Sequence, residues 1–380
     1  MNRIALVIPG LDRIAGAERQ MLLLANGLHR RGWRVSVVAL SGSGASAATE
    51  LSACGISFMS LRMRKGLADP RGWIRFHRWL RHERPDVVHS HLPHAAWFAR
   101  WSRLAAPVRV LVDTFHSSST GTPGRRIGYR FSNRLPDKVT AVSHAVAEVH
   151  SATGMVSEDK LLVLPNGIDA GQWRPDAEVR NTVRKQLDFK NEFLWFAAGR
   201  LEPVKDYPTL LRAMVGLPQP SLLVIAGAGP LESELRRLAK ELGLERRVRF
   251  LGFEPDVRQW MQAADAFVQS SLWEGLPMGL LEAAACALPA VATDVAGTRE
   301  ALVDGQTGSL AAAACPQALH LAMTRMMQLR PEDRRAIGMR ARELVTERFS
   351  LDAVLDSWEA LYADLLTRNP APRRWGPSKI

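Results

Sequence analysis

Short apolar runs alternate along this chain with stretches whose apolar residues recur every three or four positions. In the first part the runs are RIALVIPG, WRVSVVAL, PDVVHSH, VRVLVDTFH, KVTAVSHAV and KLLVLPNG, separated by amphipathic stretches such as residues 18–29 and 72–81. Apolar runs of strand length joined by helical patterns predict parallel βα units in a doubly wound sheet. The segment LPNGIDAGQWRPDAE breaks that rhythm with turn residues and prolines, which predicts an interdomain linker over residues 166–178. The alternation then resumes with EFLWFAAGRL, SLLVIAGAGP, VRFLGF, AFVQSS and PAVATDVAG. A last helix is expected over residues 351–367, where Val354, Leu355, Trp358, Leu361, Tyr362 and Leu365 form an apolar stripe at helical spacing. Residues 368–380 read as a mobile tail. The pattern therefore predicts two α/β domains, residues 1–165 and 179–350, with a cleft between them. Ligands of such sheets bind beyond the carboxyl ends of the strands.

Composition narrows the class. A chain of 380 residues that is 47% hydrophobic can build two ordinary cores. The three cysteines, Cys54, Cys286 and Cys315, share no metal-ligand or redox spacing and suit a reducing compartment. The run IALVIPG is stopped by Asp12 and Arg13 and lacks a cleavage site, so it reads as a first strand rather than a signal peptide. Residues 275–292, the longest weakly polar stretch, contain Glu282 and two prolines, so no transmembrane helix is evident. A cytoplasmic protein is expected.

The net charge of +12 is unevenly placed. Residues 1–150 hold 22 Lys/Arg against 9 Asp/Glu, whereas the remainder holds 28 against 29. An anionic partner of the first half alone would explain this, as would a solvated basic face. Residues 72–81, with the preceding Arg71, place Trp73, Phe76 and Leu80 on one helical face and Arg71, Arg75, Arg78 and Arg81 elsewhere. Such a helix either lies on an anionic membrane or packs on its own sheet.

The residues with chemical potential cluster in the second half. Glu274 and Glu282 stand eight residues apart around a glycine-proline turn that opens an apolar helix. Pro277 suits the first helical turn, where its missing N–H has no intrahelical partner anyway. Free backbone N–H groups and the helix dipole favour a diphosphate there, and the two acids could hold hydroxyls. Arg200 and Lys205 leave one strand end five residues apart and could grip diphosphate oxygens, although a basic loop after a strand is common. The turn AGAGP at residues 226–230 lacks the third glycine of a dinucleotide fingerprint. Gly16 would allow close approach of backbone to a phosphate or sugar, or serve a structural turn. His89, His91 and His94 lack a visible carboxylate or cysteine partner for a metal. His116 tips a strand at the expected ligand end.

Taken in order, these segments resemble glycosyltransferase family 4, the retaining nucleotide-sugar-dependent enzymes of the GT-B fold. The similarity rests on GAE at 16–18, PDVVHSH at 85–91, TFH at 114–116, AVSHAV at 141–146 and LPNGID at 164–169. It continues through GRLEPVKD at 199–206, AGAGP, FLGF, EGLPMGLLEA and ATDVAGTREALVDGQTG, covering nearly the whole chain. The resemblance implies that Arg200 and Lys205 bind the donor diphosphate, that Glu282 holds the ribose and that Glu274 contacts the transferred sugar. It further implies Gly16 near the donor phosphates, His116 near the reacting sugar and the backbone of Gly252 and Phe253 near the base. Two departures leave loop contacts open: Ala15 replaces a second glycine, and Ala296-Gly297-Thr298 replaces a double glycine.

The implied reaction moves a sugar from a UDP-type donor to a hydroxyl of a glycan or lipid-linked acceptor, as in bacterial cell-surface polysaccharide or lipopolysaccharide synthesis. The last helix would cross back to the first domain. Neither a metal nor another cofactor is expected, and no nucleic acid; an anionic membrane surface remains a partner for the basic half. The rival readings are a sugar-nucleotide epimerase, a pyridoxal-dependent phosphorylase and a non-enzymatic nucleic-acid binder. The loop GRLEPVKD combined with the acid pair argues against the epimerase, and no lysine context supports pyridoxal. A nucleic-acid binder would leave the paired acids unexplained.

Overall fold

The computed structural model describes residues 2–12, 14–64, 69–106, 108–119, 122–186, 189 and 192–370; residues 371–380 of the expected tail lie outside them. The chain divides into two compact units, Met1–Gly167 with Leu351–Ile380, and Ile168–Ser350. The chain thus changes unit at Gly167–Ile168 and returns at Ser350–Leu351. Residues 168–178, read from sequence as linker, belong to the second unit, where Arg342 donates to the carbonyls of Ala170 (3.1 Å) and Trp173 (2.9 Å).

Among the described residues the first unit carries β1 (Arg3–Ile8), β2 (Arg34–Ala39), β3 (Ser57–Ser60), β4 (Val87–His91), β5 (Val110–Phe115), β6 (Lys138–Ala141) and β7 (Leu161–Val163). They form a parallel sheet in the order β3-β2-β1-β4-β5-β6-β7. The continuous apolar runs arise because both faces are covered. Ile4, Leu6 and Ile8 join a core with helices Gly16–Arg30 and Leu351–Arg368, while Ala5 and Val7 face a second core built with helices Pro70–Glu83 and Pro93–Ala105.

Helix Gly16–Arg30 starts at Gly16, two residues before the expected Glu18, because Glu18 Oε2 accepts from the N–H of Ala15 at 3.1 Å. The last helix does return to the first unit, as its apolar stripe predicts. Arg31 clamps it through Asp356 (2.5 Å) and Glu359 (2.8 Å), and Trp33 Nε1 donates to Glu359 at 2.8 Å.

Helix Pro70–Glu83 settles one of the two readings of its pattern. Phe76 and Leu80 are buried, the Trp73 ring packs tilted against Phe98 with centroids 4.4 Å apart, and Phe76 meets the same ring at 5.2 Å. Its apolar face packs on its own sheet and on helix Pro93–Ala105. Beneath it, β5 carries a fully buried ion pair: Arg100 Nε lies 2.6 Å from Asp113 Oδ2, and Ser90 Oγ donates to Oδ1 at 2.5 Å.

The second unit repeats the plan with β8 (Phe193–Ala198), β9 (Ser221–Ala226), β10 (Val248–Gly252), β11 (Ala266–Gln269), β12 (Ala290–Thr293) and β13 (Gly308–Ala311). Its parallel order is β10-β9-β8-β11-β12-β13. The order reverses between β8 and β11, so the chain leaves these two neighbours in opposite directions and opens a crevice beyond their carboxyl ends.

Candidate functional site

On the β8 side of that reversal the turns after β8, β9 and β10 are tied by backbone. Gly199 N donates to Ala226 O (3.0 Å) and Gly227 N to Gly252 O (2.8 Å). Gly227 has φ +152°, and a Cβ there would collide with the carbonyl oxygen of Gly199. The AGAGP turn is therefore a close backbone crossing, which its glycines permit.

The loop after β8 forms a short 3-10 turn, Pro203–Lys205, that carries Lys205 toward the loop after β11. Leu272 N donates to Val204 O at 2.8 Å and Ser270 Oγ to Lys205 O at 2.8 Å, fixing the two loops together. Lys205 Nζ consequently stands 2.6 Å from Glu274 Oε1, and Ser271 Oγ donates to the same oxygen at 2.6 Å. The Glu274 side chain is 11% exposed and that of Lys205 22%, so the pair borders solvent from a sheltered position. Tyr207, buried by the same loop, donates to Gly199 O at 3.2 Å, and burial with the nearby Glu274 charge pushes its phenol up. Gly297 is the seat of a further close approach: a Cβ there would strike the carbonyls of Glu274 and Gly275.

Arg200 points outward, with its side chain 67% exposed and bonded to Glu202 at 2.8 Å. Pro277 occupies the N-cap, and the helix runs Met278–Ala285, one position later than the sequence suggested. Glu282 lies in the second turn of that helix and is half-buried. Burial, and then the Glu282 carboxylate, push the Cys286 thiol up to about 12. Gly252 ends β10 at φ +74°, and Phe253 beyond it is 76% exposed.

The described residues thus bring Lys205 and Glu274 into contact and set Gly252 and Phe253 at the end of β10, two strands along from β8. Sequence reasoning missed Ser271, Tyr207 and Thr293, whose hydroxyl donates to Ser271 O at 2.6 Å. The available signal was the hydroxyl pair Ser270-Ser271 directly after a strand, read instead as the strand's last residues.

In the first unit, Gly16 is exposed at the first turn of its helix, and a Cβ added to it would meet nothing within 4 Å. His116 follows β5, with its Nε2 3.1 Å from Nδ1 of His91. His89 lies beside His91, with ring centroids 4.1 Å apart, and bonds Tyr362 Oη (2.7 Å) and Thr114 Oγ1 (2.6 Å). Burial holds His89 down at about 3 and His116 at about 4, so both are neutral at pH 7; His91 is depressed as well. A cavity of about 20 Å³ adjoins them, lined by Gln20, His91, Thr114, His116, Asn166 and Trp358 among others. Among the described residues no cluster of His, Cys, Asp and Glu is arranged to hold a metal, and no helix is long and apolar enough to cross a membrane.

Two parallel-sheet α/β units built on one strand order are the GT-B fold. Residues 14–172 match the family model described as Glycosyltransferase Family 4, and residues 179–344 match Glycosyl transferases group 1. The chain belongs to this glycosyltransferase family.

Among its relatives is the UDP-Gal:alpha-D-GlcNAc-diphosphoundecaprenol alpha-1,3-galactosyltransferase of Escherichia coli, 27% identical over 245 residues. That match spans 61% of this chain and 63% of the relative, under two thirds of its length. The lipopolysaccharide core biosynthesis glycosyltransferase LpsE of Rhizobium meliloti is 28% identical across 92% of this chain and 96% of the relative. The crystal structure of Anabaena HepE in complex with UDP and glucose superposes with a TM-score of 0.83 at 21% identity, covering 96% of this chain and 100% of that one.

Proposed function

We propose that the protein transfers a sugar, with retention of anomeric configuration, from a UDP-sugar to a hydroxyl of a glycan or lipid-linked acceptor. The observation that carries this is the contact of Lys205 Nζ with Glu274 Oε1, 2.6 Å, at the strand-order reversal of the second sheet. A cation and a carboxylate meeting there suit the junction of a donor, where the diphosphate joins the sugar. The relatives support the donor and acceptor classes: one is named for a UDP-galactose donor and a diphosphoundecaprenol-linked acceptor, another for lipopolysaccharide core synthesis.

Lys205 then leaves Glu274 for the diphosphate, and exposed Arg200 swings to the same oxygens; Glu274 turns its freed carboxylate to sugar hydroxyls. The N-terminal N–H groups of helix Met278–Ala285 add fixed positive potential, and Glu282 takes the ribose hydroxyls. Phe253 offers a ring face beside the Gly252 backbone for the base. Gly16 and His116 keep the roles their motifs imply, toward donor phosphate and reacting sugar. In the reaction the anomeric C–O bond to phosphate breaks as the acceptor oxygen bonds the same carbon from the same face. The acceptor proton passes to the departing phosphate oxygen. The developing diphosphate charge is what needs stabilising, and Lys205, Arg200 and the helix end supply that without a metal or other cofactor.

The test is a thermal-shift panel of nucleotide sugars in the presence of a chelator. A UDP-sugar should raise the unfolding midpoint by mass action. If only non-uridine donors stabilise the protein, the base assignment is wrong. If none does, the donor site is wrong.

A further inference from the structure

The surface that the sequence singled out for lipid is spent on the core, but a different helix of the first unit has the required character. Helix Pro123–Ser132 buries one side only. Tyr129 is fully buried, its hydroxyl donates to Pro93 O at 2.6 Å, and its ring lies 4.6 Å from the Arg100 guanidinium. Ser132 Oγ accepts from Arg100 at 3.0 Å, and Gly128 packs against Trp97. The opposite side turns Ile127 and Phe131, one helical turn apart, into solvent at 55% and 80% exposure. On the neighbouring helix Pro93–Ala105, Trp97, Trp101 and Leu104 fall on one face, and Leu104 is 65% exposed.

Charge around this patch has one sign. From residue 114 to 136 the chain holds Arg125, Arg126, Arg130 and Arg134 and no Asp or Glu. The adjoining Arg100 and Arg103 are tied to Asp113 and Asp137. Among the described residues no ion pair engages Arg126, Arg130 or Arg134. An arginine-rich helix that exposes a phenyl ring and an isoleucine at its own turn spacing has the character of a segment seated at the headgroup–acyl boundary.

We propose that helix Pro123–Ser132 docks the first unit on an anionic lipid surface, with Phe131 and Ile127 inserted and Arg126, Arg130 and Arg134 on the headgroups. A single-stranded nucleic acid fits less well, because Ile127 and Leu104 offer no flat face on which a base could stack. The docking does not depend on the donor-site assignment, although it would bring a lipid-linked acceptor to the enzyme.

The full chain is floated with phosphatidylglycerol–phosphatidylcholine vesicles and with phosphatidylcholine alone, at low salt. Binding is expected to the anionic vesicles only. The pair Ile127→Ser with Phe131→Ser should lower the bound fraction at least tenfold, as should Arg126→Glu with Arg130→Glu. Arg71→Glu with Arg78→Glu, on the exposed side of helix Pro70–Glu83, should change it less than twofold. Unfolding midpoints and UDP binding, measured on the same samples, should match the wild type, which separates lost docking from lost folding and from any failure of the donor site. No vesicle binding by the wild type overturns the proposal. So does binding that survives both substituted pairs, or an equal loss with the Arg71/Arg78 pair. Vesicle-independent oligomers that disappear with Phe131→Ser would overturn it in favour of a second copy of the chain.

Discussion

The two sheets share the order of six strands, yet the strand ends at and beside their reversals are furnished oppositely. In the second unit, the ends of β8 and β11 present a sheltered cation–carboxylate pair, hydroxyls and close-packed glycine turns. In the first, whose order reverses between β1 and β4, the ends of β4 and of the next strand β5 are filled by neutral imidazoles, threonine hydroxyls and Tyr362 from the returning helix. Topology opens a crevice at both places, and side-chain chemistry decides what each can do. The first set of groups suits the proposed donor diphosphate. The other is a hydrogen-bonded plug beside a small cavity.

The largest effect should come from breaking the polar interior of the first unit. Asp113→Ala leaves Arg100 buried without its carboxylate and should cost about 3–5 kcal/mol in denaturant unfolding. Donor affinity in the second unit should be retained; its loss would show that the two units are not separable. Next, Lys205→Ala should lower kcat about 10²–10³-fold, the scale for removing one preorganised charge stabiliser. Unchanged turnover would sink the diphosphate role.

Glu282→Ala should weaken donor binding by about 1.5–3 kcal/mol, read by calorimetry with UDP-sugar, with little change in unfolding.

Acid should act through the first unit. His89, held down at about 3, stays neutral in the folded protein while its unfolded counterpart, with an ordinary value of about 6.5, takes up a proton. The unfolded state therefore binds more protons from pH 6.5 down to about 3. Stability falls with falling pH across that window, by at most about 1.4 kcal/mol per pH unit for each such histidine. A His89→Asn variant with an unchanged pH–stability slope would contradict this. Smallest of all, Tyr362→Phe removes one hydrogen bond to His89 and should cost about 1 kcal/mol.

Much of the fold was legible because parallel strands buried on both faces leave continuous apolar runs, and the stripe of Val354, Leu355, Trp358 and Tyr362 marked the returning helix. The acid pair and the basic loop were legible as types. Their contact was not: β8 and β11 are not consecutive, so Lys205 meets Glu274 across 69 residues of chain. Periodicity also could not say what covers an apolar face. Trp73, Phe76 and Leu80 made a stronger stripe than Ile127 and Phe131, and the stronger stripe went into the core. The weaker one, interrupted by Gly128 and Tyr129, stayed outside.

Hydrogen–deuterium exchange with and without UDP tests the contrast between the two sets of strand ends most directly. Protection is predicted in segments 199–205, 226–230, 252–253 and 274–282 of the second unit, with the β4 and β5 strands (residues 87–91 and 110–115) unchanged. Protection confined to those first-unit strands, with 199–205 and 274–282 unaltered, would contradict the donor site.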